Sequence, residues 1–199
     1  ATATQSLAIN SNLITAAVET GLFAPHGLVT PDLDMPVEWS DATFLPYDWG
    51  YFAFVHNADK DNVPTDFRAL GASDTSIVIQ DPRSSTPGLG LLMWVKAAYG
   101  DDAPAIWEAL ADNVVTVTPG WSEAYGLFLE GEAEMVLSYT TSPAYHIIAE
   151  GDDTKAAARF AEGHYMQIEL AAQLAGSDQP ELAAAFLAHL ISPAVQDII

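Results

Sequence analysis

From Ser76 to Tyr139 the chain alternates short β-branched runs with longer stretches of helical spacing, and this alternation limits the possible folds more than any other feature. Ser76–Gln80, Val114–Thr118 and Met135–Tyr139 read as strands, each short and rich in strand-forming residues. Between them, Pro87–Tyr99, Ala103–Ala111 and Trp121–Leu129 read as helices. Repeated strand–helix units of this kind predict an α/β fold with a mostly parallel sheet covered by helices. Sites in such folds gather beyond the carboxyl ends of the strands.

The flanking segments extend the pattern. Leu7–Ile9 reads as a short strand, and Asn10–Asn12 is placed to cap a helix running through Glu19 and stopping at Gly21. Residues 23–43 form a Pro- and Gly-punctuated loop, followed by extended aromatic segments from Phe44 to Val55 around Pro46 and Gly50. A chain crossing between two lobes has this character. Tyr165–Leu174 reads as a strand running into a helix, and Gln179–Ile191 as an Ala/Leu-rich amphipathic helix.

Charge and composition exclude several classes of function. The 199 residues carry 27 acidic groups against six Lys and Arg, a net charge of −21, which disfavours nucleic-acid backbones and anionic membrane surfaces as partners. The acidic residues are spread along the chain, as on a solvated surface suited to salt, and a cationic small ligand is compatible with them. There is no cysteine, so disulfides, thiolate metal sites and cysteine nucleophiles are excluded together. Apolar runs are interrupted well before the ~20 residues a membrane span needs, so no direct membrane insertion is expected. The opening residues Ala1–Ser6 have neither the basic nor the apolar region of a signal peptide.

The segment Asp81-Pro-Arg-Ser-Ser-Thr-Pro-Gly-Leu-Gly90 reads as an anion seat. Ser84, Ser85 and Thr86 stand immediately before an apolar helical run that Pro87 is suited to open. The first N–H groups of a helix have no internal partner and sit at the positive end of its dipole, so they favour an oxyanion. The plainer alternative is an N-cap, with Ser85 or Thr86 bonding its own helix. Downstream, Gly120-Trp-Ser-Glu-Ala-Tyr-Gly126 and Ser138-Tyr-Thr-Thr-Ser-Pro-Ala-Tyr-His146 supply aromatics that suit a flat organic ligand. The five histidines, His26, His56, His146, His164 and His189, are dispersed without metal-ligand spacing and read mostly as surface or helix-packing residues, and Trp94 and Trp107 as core.

Those three segments, with Tyr99-Gly-Asp-Asp-Ala-Pro104, Pro46-Tyr-Asp-Trp-Gly-Tyr-Phe-Ala-Phe54 and Glu162-Gly-His-Tyr165, resemble the thiamine-binding periplasmic proteins of ABC importers over nearly the whole chain. The resemblance implies a type II periplasmic binding protein-like α/β fold, with residues 1–46 and 166–199 as pieces of a first lobe and 47–165 as a nearly complete second lobe. It also implies a fragment lacking both ends of the longer family chain. The expected ligand is thiamine, thiamine monophosphate or thiamine diphosphate, passed to a membrane permease from a periplasmic location. By the same resemblance Ser85, flanked by Ser84 and Thr86, meets the phosphate end, while Trp121, Tyr139 and Tyr145 surround the organic part. Ser84 stands where the family usually has Thr, and Trp49 where it has Tyr.

Other functions fit less well. Thiamine-cleaving transferases of similar shape need a cysteine nucleophile, which this chain lacks, so no enzymatic activity is expected. Ferric-ion binding, the alternative for a related importer, wants a close tyrosine pair with anionic partners; Tyr139 and Tyr145 are six positions apart, and Trp121 offers no ligand atom. A serine hydrolase is unsupported, because no Gly-x-Ser-x-Gly elbow occurs.

Overall fold

A computed structural model describes residues 5–29 and 34–199. The first four residues and residues 30–33 of the punctuated loop lie outside the described residues. In chain order the elements are β1 (Ser6–Asn10), a 3-10 turn (Ser11–Leu13), α1 (Ile14–Thr20), β2 (Phe23–Ala24), β3 (Leu45–Asn57), α2 (Phe67–Gly71), β4 (Ile77–Gln80), α3 (Thr86–Tyr99), α4 (Ala103–Leu110), β5 (Val114–Thr118), α5 (Trp121–Leu129), β6 (Met135–Tyr139), α6 (Ser142–Tyr145), a π-helical turn (His146–Glu150), β7 (Lys155–Ala157), β8 (Met166–Leu174), α7 (Pro180–Leu190) and α8 (Pro193–Gln196). Two compact units result, one of residues 1–49 with 167–199 and the other of residues 50–166. No helix among the described residues is long and apolar enough to cross a membrane.

In the first unit β8 pairs antiparallel with β1, from Ser6 opposite Gln173 to Asn10 opposite Glu169, and with β2. The Asn10 side chain accepts from the Asn12 N–H and so caps the 3-10 turn rather than α1, whose own N-cap residue, Leu13, makes no side-chain cap bond; α1 ends at Gly21 with φ 64°, a left-handed conformation that suits glycine. Leu45, Ala171 and Leu187 form its buried centre. The expected turn from strand to helix within 165–174 does not occur, because β8 remains extended along its whole length. Ala171, Ala172 and Leu174 are good helix formers, but ladder hydrogen bonds to β1 and burial of Leu170 and Ala172 override local propensity.

The second unit is built on a sheet in the order β7–β3–β6–β4–β5. Parallel pairing is confined to β4 with β5 and β4 with β6, while β3 runs antiparallel to β6 and to β7. The sheet is therefore more mixed than its sequence pattern suggests. Pro46 and Gly50 do not break β3, which is one strand of 13 residues. On one face Phe52, Phe54, Ile79 and Leu137 pack against α2, α3 and α4 through Phe67, Trp94 and Ile106. Phe67 meets Trp94 edge-on at 4.8 Å and Phe160 at 5.0 Å, pairings that add roughly 0.5–1.5 kcal/mol each to the area they bury. On the other face Val55, Val78 and Val136 bury Tyr125 and Phe128 of α5. Helices on both faces leave the strand ends to carry the loops.

Candidate ligand-binding site

The carboxyl ends of β4, β5 and β6 lead directly into α3, α5 and α6, and hydrogen bonds knit the three turns together. The Asp81 N–H donates to Thr118 O at 2.8 Å, and Ser84 Oγ to Pro119 O at 2.7 Å. Gln80, buried at the end of β4, donates from Nε2 to Leu137 O at 2.9 Å. The turn at 81–86 thus holds to the one before Trp121, and β4 holds to β6.

At the α3 turn the three hydroxyls separate in role. Ser84 is committed to Pro119. Ser85 occupies the N-cap position, yet its side chain makes no cap bond, and its Oγ is buried without a hydrogen-bond partner. A buried unpartnered hydroxyl costs about 1–3 kcal/mol, so the plain capping role does not account for it. Thr86 opens the helix, Pro87 follows, and no acidic residue lies in the first turn. Gly88 brings this turn against the sheet, since a Cβ there would lie 2.4 Å from Gln80 O. Arg83 beside the turn forms a paired contact with Asp81, whose carboxyl it holds down to about 2, so the guanidinium offsets the acid there and leaves the turn without net negative charge.

Trp121 is the first residue of α5 and is 38% exposed. Its Nε1 donates to Ser138 Oγ at 2.8 Å, and Ser138 shares a hydrogen bond with Ser142 Oγ at 2.7 Å. One turn along α5, Tyr125 stacks on the indole at 4.9 Å between centroids and 29° between planes. The Tyr125 hydroxyl lies 2.9 Å from His146 Nε2, and its pKa is pushed up to about 12, chiefly by burial and then by Glu150 and Asp152. Trp121 is therefore held by its edge and by a ring beneath it, which orients it without burying it.

The two tyrosines differ. Tyr145, at the end of α6 and 64% exposed, meets His146 edge-on at 6.0 Å, so it joins Trp121 through Tyr125 and His146 in one aromatic run. Tyr139 instead leans on Phe52 at 5.4 Å, packed against the core, and is linked to the Trp121 side by its N–H to Ser142 Oγ at 3.4 Å. Ser138, Ser142, Tyr125 and His146 were not singled out as candidates from the sequence. The i, i+4 spacing of Trp121 and Tyr125 was the available signal. The histidine expectation needs correction as well: His26, His56 and His146 are buried, each in hydrogen-bonding reach of a protein partner that satisfies part of its ring.

An α/β unit whose strand ends carry an anion-ready helix start and a propped, half-open indole is a small-solute receptor in form. The chain belongs to the bacterial extracellular solute-binding protein family, whose model matches residues 46–199. It is 55% identical over 196 residues to the thiamine-binding periplasmic protein of Escherichia coli (strain K12), covering 97% of this chain and 60% of that one. The corresponding protein of Haemophilus influenzae is 45% identical, with 96% and 58% covered. A solved periplasmic thiamin binding protein superposes with a TM-score of 0.94 at 52% identity, over 97% of this chain and 62% of its own. The chain thus spans about 60% of the length of the curated relatives it matches. Iron-bound HitA from Pseudomonas aeruginosa shares the type II periplasmic binding fold at a TM-score of 0.76, but only 18% identity.

Proposed function

We propose that this chain is the ligand-gripping part of a periplasmic solute-binding protein that captures thiamine and its phosphate esters and hands them to the membrane permease of an ABC importer. The observation that carries the proposal is the pairing of a buried, unpartnered Ser85 hydroxyl at the start of α3 with the half-open Trp121 ring at the start of α5, on two turns joined by the Ser84–Pro119 hydrogen bond. Thiamine carries a cationic thiazolium, a flat aminopyrimidine and, in its esters, a phosphate. Indole and phenol faces attract the cation and stack on the rings, each contact worth roughly 0.5–2 kcal/mol. The α3 start, with Ser85 and Arg83, suits the phosphate by dipole, hydroxyl and charge.

In this reading Trp121 and Tyr145 line the organic part, Tyr139 closes its inner side, and Ser85 with Thr86 meets the phosphate while Ser84 fixes the turn. The role is binding without catalysis, in line with the names of the relatives. The thiamine-binding names of the relatives, at 45–55% identity, favour this over a ferric-ion site, which only a neighbour of 18% identity suggests. Calorimetric titration of the chain with thiamine, thiamine monophosphate and thiamine diphosphate, with ferric citrate as comparison, tests the proposal. Heat of binding for the thiamine compounds alone is expected. Saturable ferric binding with no response to thiamine would reverse the assignment.

A further inference from the structure

Behind the aromatic run lies a cluster that the thiamine reading does not use. The ligating atoms of His146, Glu150 and Asp152 lie within 4.8 Å of one another. Local backbone geometry creates this. The π-helical turn from His146 to Glu150 brings the two side chains together, Gly151 reverses the chain at φ 67°, and the Asp152 N–H returns to His146 O at 3.0 Å. His146 is buried, while Glu150 and Asp152 keep half and a third of their side chains exposed. The cluster is therefore reachable from solvent on its carboxylate side.

We propose that His146, Glu150 and Asp152 bind a divalent first-row transition ion of the Zn2+, Co2+ or Ni2+ kind. With the Tyr125 hydroxyl accepting from Nε2–H, the Nδ1 lone pair faces Glu150 Oε2 at 2.6 Å, with the Asp152 carboxylate close by. In that tautomer three electron-rich atoms converge, and either a metal cation among them or a proton on Nδ1 must offset their repulsion. One imidazole nitrogen and two carboxylate oxygens suit a borderline ion better than Ca2+, which takes oxygen alone, or Cu+, which prefers sulfur. Around an ion with bonds of ~2.1 Å, tetrahedral ligands stand roughly 3.4 Å apart, which a small rotation of the exposed Glu150 provides. Tyr125 would act as the outer partner that fixes a ligating histidine's tautomer. Lys155 Nζ, 3.6 Å from Asp152 Oδ2, and the Thr154 N–H on Asp152 Oδ1 hold that carboxylate in place, and one lysine leaves the two carboxylates with net negative charge.

The competing occupant is a proton on Nδ1, which makes the cluster a simple His146–Glu150 bond. Titrating the chelator-treated chain with Co2+, followed by its visible absorption, and with Zn2+ by calorimetry, separates the two. Both titrations are run without thiamine and in moderate salt, to suppress loose binding to the acidic surface. One ion per chain is expected, with affinity at least tenfold lower in Glu150→Gln and in Asp152→Asn. These two variants alter partly exposed groups and so keep the test valid if His146→Gln fails to fold. Tyr125→Phe should weaken binding by about 10–100-fold. Trp121 fluorescence should respond to the ion in the parent chain, because Tyr125 links the cluster to the indole. Absence of saturable binding, or equal binding by parent and both carboxylate variants, would overturn the proposal.

Discussion

The starts of α3 and α5 sit at the carboxyl edge of the same parallel strands, joined by the Ser84–Pro119 hydrogen bond, yet they are built for opposite charges. The α3 start has no acid in its first turn, a free Ser85 hydroxyl and Arg83 nearby. The α5 start carries Glu123 in its first turn, folded back so that a Cβ on Gly120 would lie 2.8 Å from Glu123 Oε2. A carboxylate there occupies the positive end of the helix dipole and leaves the surroundings of Trp121 suited to a cation. In the proposed reading, two helix starts of the same topology would divide a ligand with a cationic and an anionic end between them, with side chains deciding which end goes where.

The largest effect that tests this comparison is steric. Gly88→Ala sets a methyl 2.4 Å from Gln80 O, backbone that cannot yield, so α3 must move away from β4. A loss of about 1–3 kcal/mol in chemical denaturation is expected. At α5 the matching change, Gly126→Ala, meets nothing within 4 Å and should stabilise by roughly 0.5–1 kcal/mol. If both glycines behave alike, the close approach at α3 is not what seats its N-terminus.

Next in size is Ser85→Ala. Removing a hydroxyl that bonds a charged group weakens binding by about 1.5–3 kcal/mol, so thiamine diphosphate affinity should fall by roughly tenfold or more while free thiamine changes little. Equal loss for both ligands in calorimetry would break the division between the two helix starts. Trp121→Ala should do the reverse. It is expected to lower affinity for thiamine and its esters alike, by about 0.5–2 kcal/mol, and a loss confined to the esters would place the indole at the wrong end.

The smallest effect concerns charge at the α3 turn. Asp81, held down to about 2 by its bonds to Arg83, keeps this pair formed above the ordinary carboxylate range and loses it only as pH falls through about 2. In Arg83→Ala the Asp81 carboxyl, followed by NMR titration, should rise toward ~3.9. Global stability should barely change, because exposed pairs contribute little. An unmoved titration would mean that the turn itself, rather than Arg83, holds Asp81.

Much of this architecture is legible in the chain. The strands at 76–80, 114–118 and 135–139, and the helices between them, follow from local pattern because each is short, regular and punctuated by Gly or Pro. Residues 165–174 are the counterexample. The composition of their second half favours a helix, and pairing with β1 and β2, about 150 residues or more away, makes them a strand. The antiparallel place of β3 beside β6 has the same origin, since periodicity carries no information about which strand lies next to which.

The candidate site divides along the same line. The resemblance singled out Ser85, Trp121, Tyr139 and Tyr145, and local signals agree with it: hydroxyls before a proline-opened helix, and aromatics at or after the end of a predicted strand. Which hydroxyl is free was not local. Ser84 is taken by Pro119, 35 residues on, and this leaves Ser85 as the unpartnered one. Nor does the chain order reveal that Trp121 rests on Tyr125 with His146 behind it, or that Tyr139 turns to the core while Tyr145 stays outside. Sequence by itself determined the elements between residues 76 and 139, the turn chemistry and the residue types at the strand ends, since these depend on neighbours a few positions apart. The sheet order, the partner of each hydroxyl and the burial of each ring were decided by tertiary structure, because hydrogen bonds and packing are satisfied by whatever the fold brings within a few ångströms, however distant in the chain.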